Sequence, residues 1–283
     1  MAITREQATG RFVVADGIRI HYGDVGQGEP ILLLHGAGPG ADAWGNFRSN
    51  LDDLAQGHRL LLPDLPRFGR SDKPSTDRPR LDFLADALAA FLDAVGVDRV
   101  HVIGNSLGGQ GGLKLAIDHP DRVGRIVVIG SNAISRTAFS PMPAEAVRHI
   151  ADYYQGEGPS MGKMRMLLRA LVYDGARVTD DLVAERYAAS IDPEIVAVNR
   201  EGHWGRQSLD GELGRLRAPT LIVWGQDDRA SPVEAGLMML RLIPDARLHI
   251  FNHCGHWAQV EHAAEFDRLV LDFFATGPGN GHG

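Results

Sequence analysis

The chain predicts a mostly parallel α/β sheet flanked by helices and interrupted once by an all-helical insertion. Three observations carry this. Apolar runs of strand length alternate with stretches of helical period, a pattern that buries a sheet on both faces. Many of the 34 glycines among 283 residues directly follow those runs, where tight turns belong. The alternation stops between about Asn132 and Leu213, where no strand-like run occurs.

Arg11–Val14 and Ile18–Tyr22 flank Asp16-Gly17, the signature of a β-hairpin. Buried strands are expected at Ile31–Leu34, Leu60–Leu62, Val100–Ile103, Ile126–Ile129, Thr220–Trp224 and Arg247–Phe251. Leu81–Val95 repeats apolar residues at Leu81, Leu84, Ala85, Leu88, Phe91, Leu92 and Val95, a 3.6-residue period. Val233–Leu242 and Glu261–Phe274 repeat similarly. The insertion reads as four helices, Ala144–Tyr154, Ser160–Tyr173, Asp180–Ser190 and Pro193–Gln207. It holds Met142, Met161, Met164 and Met166 with Tyr153, Tyr154, Tyr173, Tyr187 and Trp204, adaptable apolar side chains that suit either plain packing or a lid. The expected organisation is a core of residues 1–131 and 214–276, a helical lid at 132–213, and a disordered Gly-rich tail at 277–283.

Composition excludes several classes. With 29 Lys+Arg against 36 Asp+Glu, the net charge is −7 and no basic run offers a nucleic-acid face. The longest apolar runs fall far short of the roughly 20 residues that span a bilayer, so no membrane association is expected. The N-terminus lacks the apolar stretch of a secretory signal. Cys254 is the single cysteine, which forbids an intramolecular disulfide and is compatible with a reducing cytoplasm.

The chemistry gathers at strand ends. Gly104-Asn105-Ser106-Leu107-Gly108 joins the run Val100–Ile103 to the helical stretch Leu107–Asp118. In that context G-x-S-x-G is a nucleophile elbow: a sharp turn lifts the Ser106 hydroxyl above the sheet, and the flanking glycines admit close backbone approach. A serine hydroxyl needs a base, and the base needs an orienting acid. Gly225-Gln226-Asp227-Asp228 follows the Thr220 run, 122 residues after Ser106 at Asp228. Asn252-His253-Cys254-Gly255-His256 follows the Arg247 run, 28 residues further at His256. Asp227 competes with Asp228, and His253 with His256; Gly255 gives His256 the sharper turn. Oxyanion donors are expected from the Leu107 amide and from His35-Gly36-Ala37-Gly38-Pro39-Gly40, with Ala37 first and Gly38 second.

Two patterns mislead. Gly36-x-Gly38-x-x-Ala41 with Asp64 mimics a dinucleotide fingerprint, but Pro39 and Gly40 intervene before any helix. His249, His253, His256 and His262 cluster without the spacing of a zinc site, so no metal is expected.

These motifs in this order resemble the α/β-hydrolase superfamily over nearly the whole chain. Asp64-Leu65-Pro66-Arg67-Phe68-Gly69-Arg70-Ser71-Asp72 is similar to the superfamily's D-x-x-G-x-G-x-S-D loop, with Arg67 where the first glycine usually stands. A narrower resemblance is to meta-cleavage product hydrolases. It rests on His35–Ala41, Gly104–Gly109, Trp44-Gly45-Asn46 and His253-Cys254-Gly255-His256-Trp257-Ala258-Gln259-Val260-Glu261-His262, with Val183-Ala184-Glu185-Arg186-Tyr187 in the lid. The chain departs in having Leu107 where many members carry Met, and Ala37 in place of a common Gly.

The resemblance implies cofactor-independent C–C hydrolysis of 2-hydroxy-6-oxohexa-2,4-dienoates from aromatic catabolism, by a cytoplasmic homo-oligomer. It assigns Asp228 as the acid and His256 as the base. It implies Arg186 for the substrate carboxylate, Asn46 and Asn105 for the dienol end, and Trp257 as a cavity wall. The alternative is a carboxylesterase or enol-lactonase using the same triad.

Overall fold

The computed structural model describes residues 2–135, 139–140, 144–200, 204–205 and 207–275. Eight strands form one sheet: β1 (Arg11–Ala15), β2 (Ile18–Gly26), β3 (Glu29–Leu34), β4 (His58–Pro63), β5 (Val100–Asn105), β6 (Val123–Ile129), β7 (Thr220–Gly225) and β8 (Ala246–Phe251). Their spatial order is β1-β2-β4-β3-β5-β6-β7-β8. The β1–β2 hairpin pairs antiparallel, as does β2 with β4; every pairing from β4 through β8 is parallel. Because consecutive parallel strands need a crossover, helices cover both faces.

Alternation along the strands divides the core in two. Leu32, Leu34, Val102, Ile126, Val128, Ile222 and Trp224 face one layer, which holds the helices Arg80–Ala94, Leu107–Asp118 and Val233–Leu242. Ile31, Leu33, Ile103, Val127, Ile129, Leu221 and Val223 face the other, packing on Phe47 and on Phe266, Val270 and Phe273 of the C-terminal helix. Burial on both sides explains why these strands read as continuous apolar runs rather than alternating ones.

Two helices differ from expectation. The stretch Glu261–Phe274 is broken into Ala258–Glu261 and Ala263–Ala275. His262 leaves helical geometry (φ −125°, ψ 40°), while the Glu261 carboxylate is drawn inward to two backbone amides. Pro193–Gln207 is helical only over Pro193–Arg200; Trp204, Gly205 and Gln207 are irregular, and Glu201–His203 and Arg206 lie outside the described residues. Gln207 is held instead by side-chain bonds to Leu81 N and Asp82.

Between β6 and β7 the regular elements of the described residues are helical: Glu145–Asp152, Met161–Leu171, Asp180–Ser190 and Pro193–Arg200, with short 3-10 turns. They share a small core of Tyr153, Met164, Leu167, Leu168 and Val183, to which Trp257 contributes from the sheet domain. Of the two readings left open for the methionines, packing holds for Met164, and no methionine lines the Ser106 cavity among the described residues. Met164 is buried in this core, Met161 and Met166 face outward, and Met142 lies outside the described residues, as does the tail 277–283.

Candidate active site

Ser106 sits between β5 and its helix with φ 51° and ψ −115°, a conformation costly for any residue with a Cβ. The elbow is enforced locally. Ser106 N–H donates to the Ile129 carbonyl at 2.8 Å, tying it to β6. A Cβ on Gly108 would lie 2.2 Å from the Leu34 carbonyl oxygen, and one on Gly104 2.5 Å from the Gly109 backbone. Only glycine fits either position, which is the physical content of the motif.

Asp228 and His256 hang from the ends of β7 and β8. His256 Nδ1 donates to Asp228 Oδ2 at 2.7 Å, so Nε2 is left as the basic nitrogen. The other carboxylate oxygen of Asp228 accepts from the amides of Ala230 (2.7 Å) and Ser231 (2.9 Å), and its side chain is fully buried. Asp227 makes no such contact, and its Oδ2 has no hydrogen-bond partner. His253 is exposed at φ 50°. Cys254, in the same loop, is buried with its thiol pushed up by desolvation and by Glu261, so it does not compete as a nucleophile.

Ser106 and His256 line one cavity of about 190 Å³ together with Ala37, Leu107, Asn46 and Asn105; Arg186 and Trp257 also reach it. Leu107 opens its helix, so its amide has no intrahelical partner. Gly38, the second oxyanion candidate, lines a neighbouring cavity instead. Asn46 Nδ2 donates to Asn105 Oδ1 (3.2 Å), and Asn105 Nδ2 donates to the carbonyls of Ile129 (3.1 Å) and His256 (3.3 Å). Asn105 thus braces the histidine loop as well as facing the cavity.

Arg186 is the unusual group. Its side chain is buried, its Nε has no hydrogen-bond partner, and desolvation pulls its pKa below the ordinary arginine value. The nearest carboxylates are committed elsewhere: Asp42 caps the helix Ala43–Phe47 through Gly45 N–H (2.6 Å), and Glu185 is held by Arg48 and Arg5. The guanidinium lies 5.8 Å from the Trp257 ring centroid, at the edge of cation–π range. A buried cation without a counterion is costly unless an anion completes the site.

Fold and residues decide the family when set beside known proteins. Residues 29–263 match the family model described as alpha/beta hydrolase fold. The chain is 38% identical to a 2-hydroxy-6-oxo-6-phenylhexa-2,4-dienoate hydrolase of Burkholderia cepacia, over 96% of this chain and 98% of that one. It belongs to the meta-cleavage product hydrolases of the α/β-hydrolase superfamily. A 2-hydroxy-6-oxononadienedioate/2-hydroxy-6-oxononatrienedioate hydrolase of Cupriavidus pinatubonensis is 40% identical, covering 97% and 98% of the two chains. A solved meta-cleavage product hydrolase from Pseudomonas fluorescens superposes with TM-score 0.83 at 32% identity, covering 94% of this chain and 97% of that one.

Within this hydrolase, some contributors were not read from sequence. A Cβ on Gly130 would stand 2.8 Å from His256 Nδ1 and 3.0 Å from Asp228 Oδ2, so glycine there makes room for the dyad. Its position just past the Ile126–Ile129 run was the available signal. His35, buried, donates from Nδ1 to its neighbour's carbonyl and accepts Leu65 N–H at Nε2, which locks the loop after β3. Asp64, the residue of the dinucleotide mimic, is consumed by the amides of Ala43 and Arg70 and by His21. Among the described residues no cluster of His, Cys, Asp and Glu could hold a metal, and no helix is long and apolar enough to cross a membrane.

Proposed function

We propose that this enzyme hydrolyses the C–C bond of 2-hydroxy-6-oxohexa-2,4-dienoate-type ring-fission products, using Ser106, His256 and Asp228. The observation that carries the reading is Arg186: a buried guanidinium with an unbonded Nε, and with its neighbouring carboxylates engaged by other partners, in the same cavity as Ser106 and His256. A neutral ester has no use for it. The dienoate carboxylate supplies the missing anion, with the planar fork available for two charge-assisted bonds. The segment 132–213, whose regular elements among the described residues are helical, acts as the lid that brings Arg186 over the core of residues 1–131 and 214–276.

With the carboxylate on Arg186, Asn46 and Asn105 face the dienol end and Trp257 forms the wall. The enol is converted to its keto tautomer, whose C2 carbonyl is the electron sink for the pair left on C5. His256 Nε2 removes the Ser106 proton while Asp228 holds the imidazolium, and Ser106 Oγ adds to the C6 ketone. The Leu107 and Ala37 amides receive the oxyanion, the Ala37 assignment resting on its place beside Ser106 in the cavity wall. The C5–C6 bond breaks, the dienoate fragment gains a proton, and water hydrolyses the acyl-serine with His256 as base. Products are a 2-hydroxypenta-2,4-dienoate and a carboxylic acid. The family resemblance also supports a cytoplasmic homo-oligomer, which fractionation and light scattering check.

The test follows loss of the visible absorbance of 2-hydroxy-6-oxo-6-phenylhexa-2,4-dienoate and of 2-hydroxy-6-oxonona-2,4-dienedioate, beside a p-nitrophenyl ester. At least one dienoate should exceed the ester in kcat/KM. Ser106→Ala should lower dienoate turnover by roughly 10⁴–10⁶-fold. Arg186→Met should raise KM for the dienoates by about 10–100-fold, the worth of a charged hydrogen bond, and leave the ester's KM nearly unchanged. Efficient ester turnover with no dienoate loss would establish an esterase instead.

A further inference from the structure

The helix that carries Arg186 is clamped from its outer side. Arg48 Nη1 donates to Glu185 Oε2 at 2.7 Å, and Arg5 Nη1 donates to Glu185 Oε1 at 3.1 Å. Successive residues on a helix point about 100° apart. Glu185 is thus turned toward the core's surface arginines while Arg186, its neighbour, reaches the cavity of Ser106. Arg48 is the C-cap of the helix Ala43–Phe47, which also presents Asn46 to that cavity. One ion pair therefore joins the two elements that bear Arg186 and Asn46. Arg5 extends the clamp: its Nη2 lies 3.5 Å from Asp42 Oδ2, the N-cap of the Asn46 helix.

Elsewhere the Arg186 helix is seated by backbone and by buried hydroxyls. A Cβ on Gly40 would meet the Arg186 carbonyl oxygen at 2.2 Å, so the helix lies directly on the loop after β3. Tyr153 Oη bonds Ser190 Oγ at 2.6 Å, and Tyr154 Oη donates to the Ser190 carbonyl at 3.0 Å. These contacts set how close the helix lies. The Glu185 pairs act further from the helix axis and resist rotation, the motion that would carry the Arg186 fork away.

The consequence rests on the C–C reading above. A dienoate held by its carboxylate at Arg186 and by its enol oxygen at Asn46 spans both helices, so their relative placement decides whether both bonds form at once. A displacement of about 1 Å can cost on the order of 10²-fold. We infer that Glu185 is a positioning residue: by binding Arg48 and Arg5 it holds Arg186 and Asn46 at the separation set by the carboxylate and the 2-hydroxyl of one substrate. A neutral ester needs neither contact and is indifferent to the clamp. Two other roles give different results. As a bare counter-charge, Glu185 would weaken the pull of Arg186 on an anion, and its removal would lower KM. As plain support for the fold, its removal would reduce every activity alike.

The experiment measures kcat and KM for 2-hydroxy-6-oxo-6-phenylhexa-2,4-dienoate and 2-hydroxy-6-oxonona-2,4-dienedioate, with a p-nitrophenyl ester as reference. It uses the native enzyme, Glu185→Ala, Glu185→Gln, Arg48→Met and the double variant Glu185→Ala/Arg48→Met. The ester rate of each preparation cancels any inactive fraction. Glu185→Ala and Arg48→Met should each raise the dienoate KM by about 3–10-fold, with kcat within about twofold of native and the ester's kcat/KM unchanged. Glu185→Gln keeps an acceptor for Arg48 and should recover part of the loss. The double variant should match Glu185→Ala, because both changes remove one interaction. The same weakening should appear in the dienoate Kd on a Ser106→Ala background, read by absorbance titration without turnover. A dienoate KM unchanged or lowered in Glu185→Ala, equal losses on dienoate and ester, or losses that add in the double variant would overturn the inference and leave C–C hydrolysis intact. Native turnover of neither dienoate would overturn the C–C reading and this inference with it.

Discussion

Single residues in this hydrolase hold conformations that their types resist. Ser106 at φ 51° is one, and Arg67 at φ 76° is another. Arg67 occupies the position where the superfamily's loop carries glycine, and it keeps the left-handed turn that glycine would have adopted. A left-handed backbone costs an L-residue on the order of 1–2 kcal/mol. The side chain offers compensation: its guanidinium donates to the carbonyls of Pro74 (2.9 Å) and Val198 (3.4 Å) and lies 5.0 Å from the Trp204 ring centroid. Arg67 therefore binds the D-x-x-G-x-G-x-S-D-like loop to the helical segment. Arg67→Ala should lose these contacts and keep the strain, whereas Arg67→Gly loses the contacts and relieves the strain. We expect Arg67→Gly to be the more stable of the two by about 1 kcal/mol in urea unfolding. Equal stability would mean that the turn is not strained.

At the scale of elements, the histidine loop is positioned by Glu261, at the end of the four-residue helix Ala258–Glu261. Its buried carboxylate accepts Gly255 N–H at 2.8 Å and Tyr173 N–H at 2.7 Å, while His256 N–H donates to the Leu171 carbonyl. One side chain thus joins the histidine loop to the end of the helix Met161–Leu171. Burial raises the Glu261 pKa, and the two amide donors oppose that rise. Glu261→Gln presents an amide donor to one of the two backbone N–H groups. A buried unsatisfied donor costs roughly 1–3 kcal/mol. The expected outcome is a lowered melting temperature together with a reduced kcat, read by thermal unfolding and steady-state kinetics. An unchanged kcat would show that the loop holds its place without the clamp. The sequence places Glu261 at the head of a helix Glu261–Phe274, because its apolar period does not mark the break at His262. The break at His262 is set by where the Glu261 side chain must reach, which periodicity does not encode.

Across the whole molecule, a chain of buried amides runs from the C-terminal helix to the elbow at Ser106. Asn50 donates from Nδ2 to Asp267 Oδ1 and to the Gln259 carbonyl, both at 2.8 Å; Gln259 Nε2 donates to the Asn46 carbonyl at 3.4 Å; and Asn46 bonds Asn105 beside Ser106. Asp267 Oδ2, Asn50 Oδ1 and Gln259 Oε1 are buried acceptors without partners. Desolvation, reinforced by the Asp53 charge and opposed by the Asn50 bond, pushes the Asp267 carboxyl up to about 7. The folded form therefore keeps a proton that the unfolded form has already released, and stability falls as pH rises from the ordinary carboxylate range through about 7. Asp267→Asn removes that titration. It should raise the melting temperature relative to the native enzyme more at pH 8 than at pH 5. An equal shift at both pH values would mean that Asp267 is ionised throughout.

The division between local and global information is clear in these same residues. Eight strands, the elbow at Ser106 and the candidate triad were legible because each is written in a short window: an apolar run, a glycine two residues either side, a turn at a strand end. Arg186 was visible only through the family resemblance, since an isolated charge on a helix is usually solvated. Its burial, and the commitment of Asp42 and Glu185 to other partners, follow from docking helix Asp180–Ser190 onto Gly40. Arg80, Gln110 and Asn132 likewise come from three separate elements and are joined by hydrogen bonds only in the folded chain. Glu261 and Gly130 likewise act through partners far away in the chain. Backbone hydrogen bonding and side-chain period act over a few residues, so sequence reports them. Desolvation and charge compensation depend on every element packed around a group, and only the folded arrangement sets them.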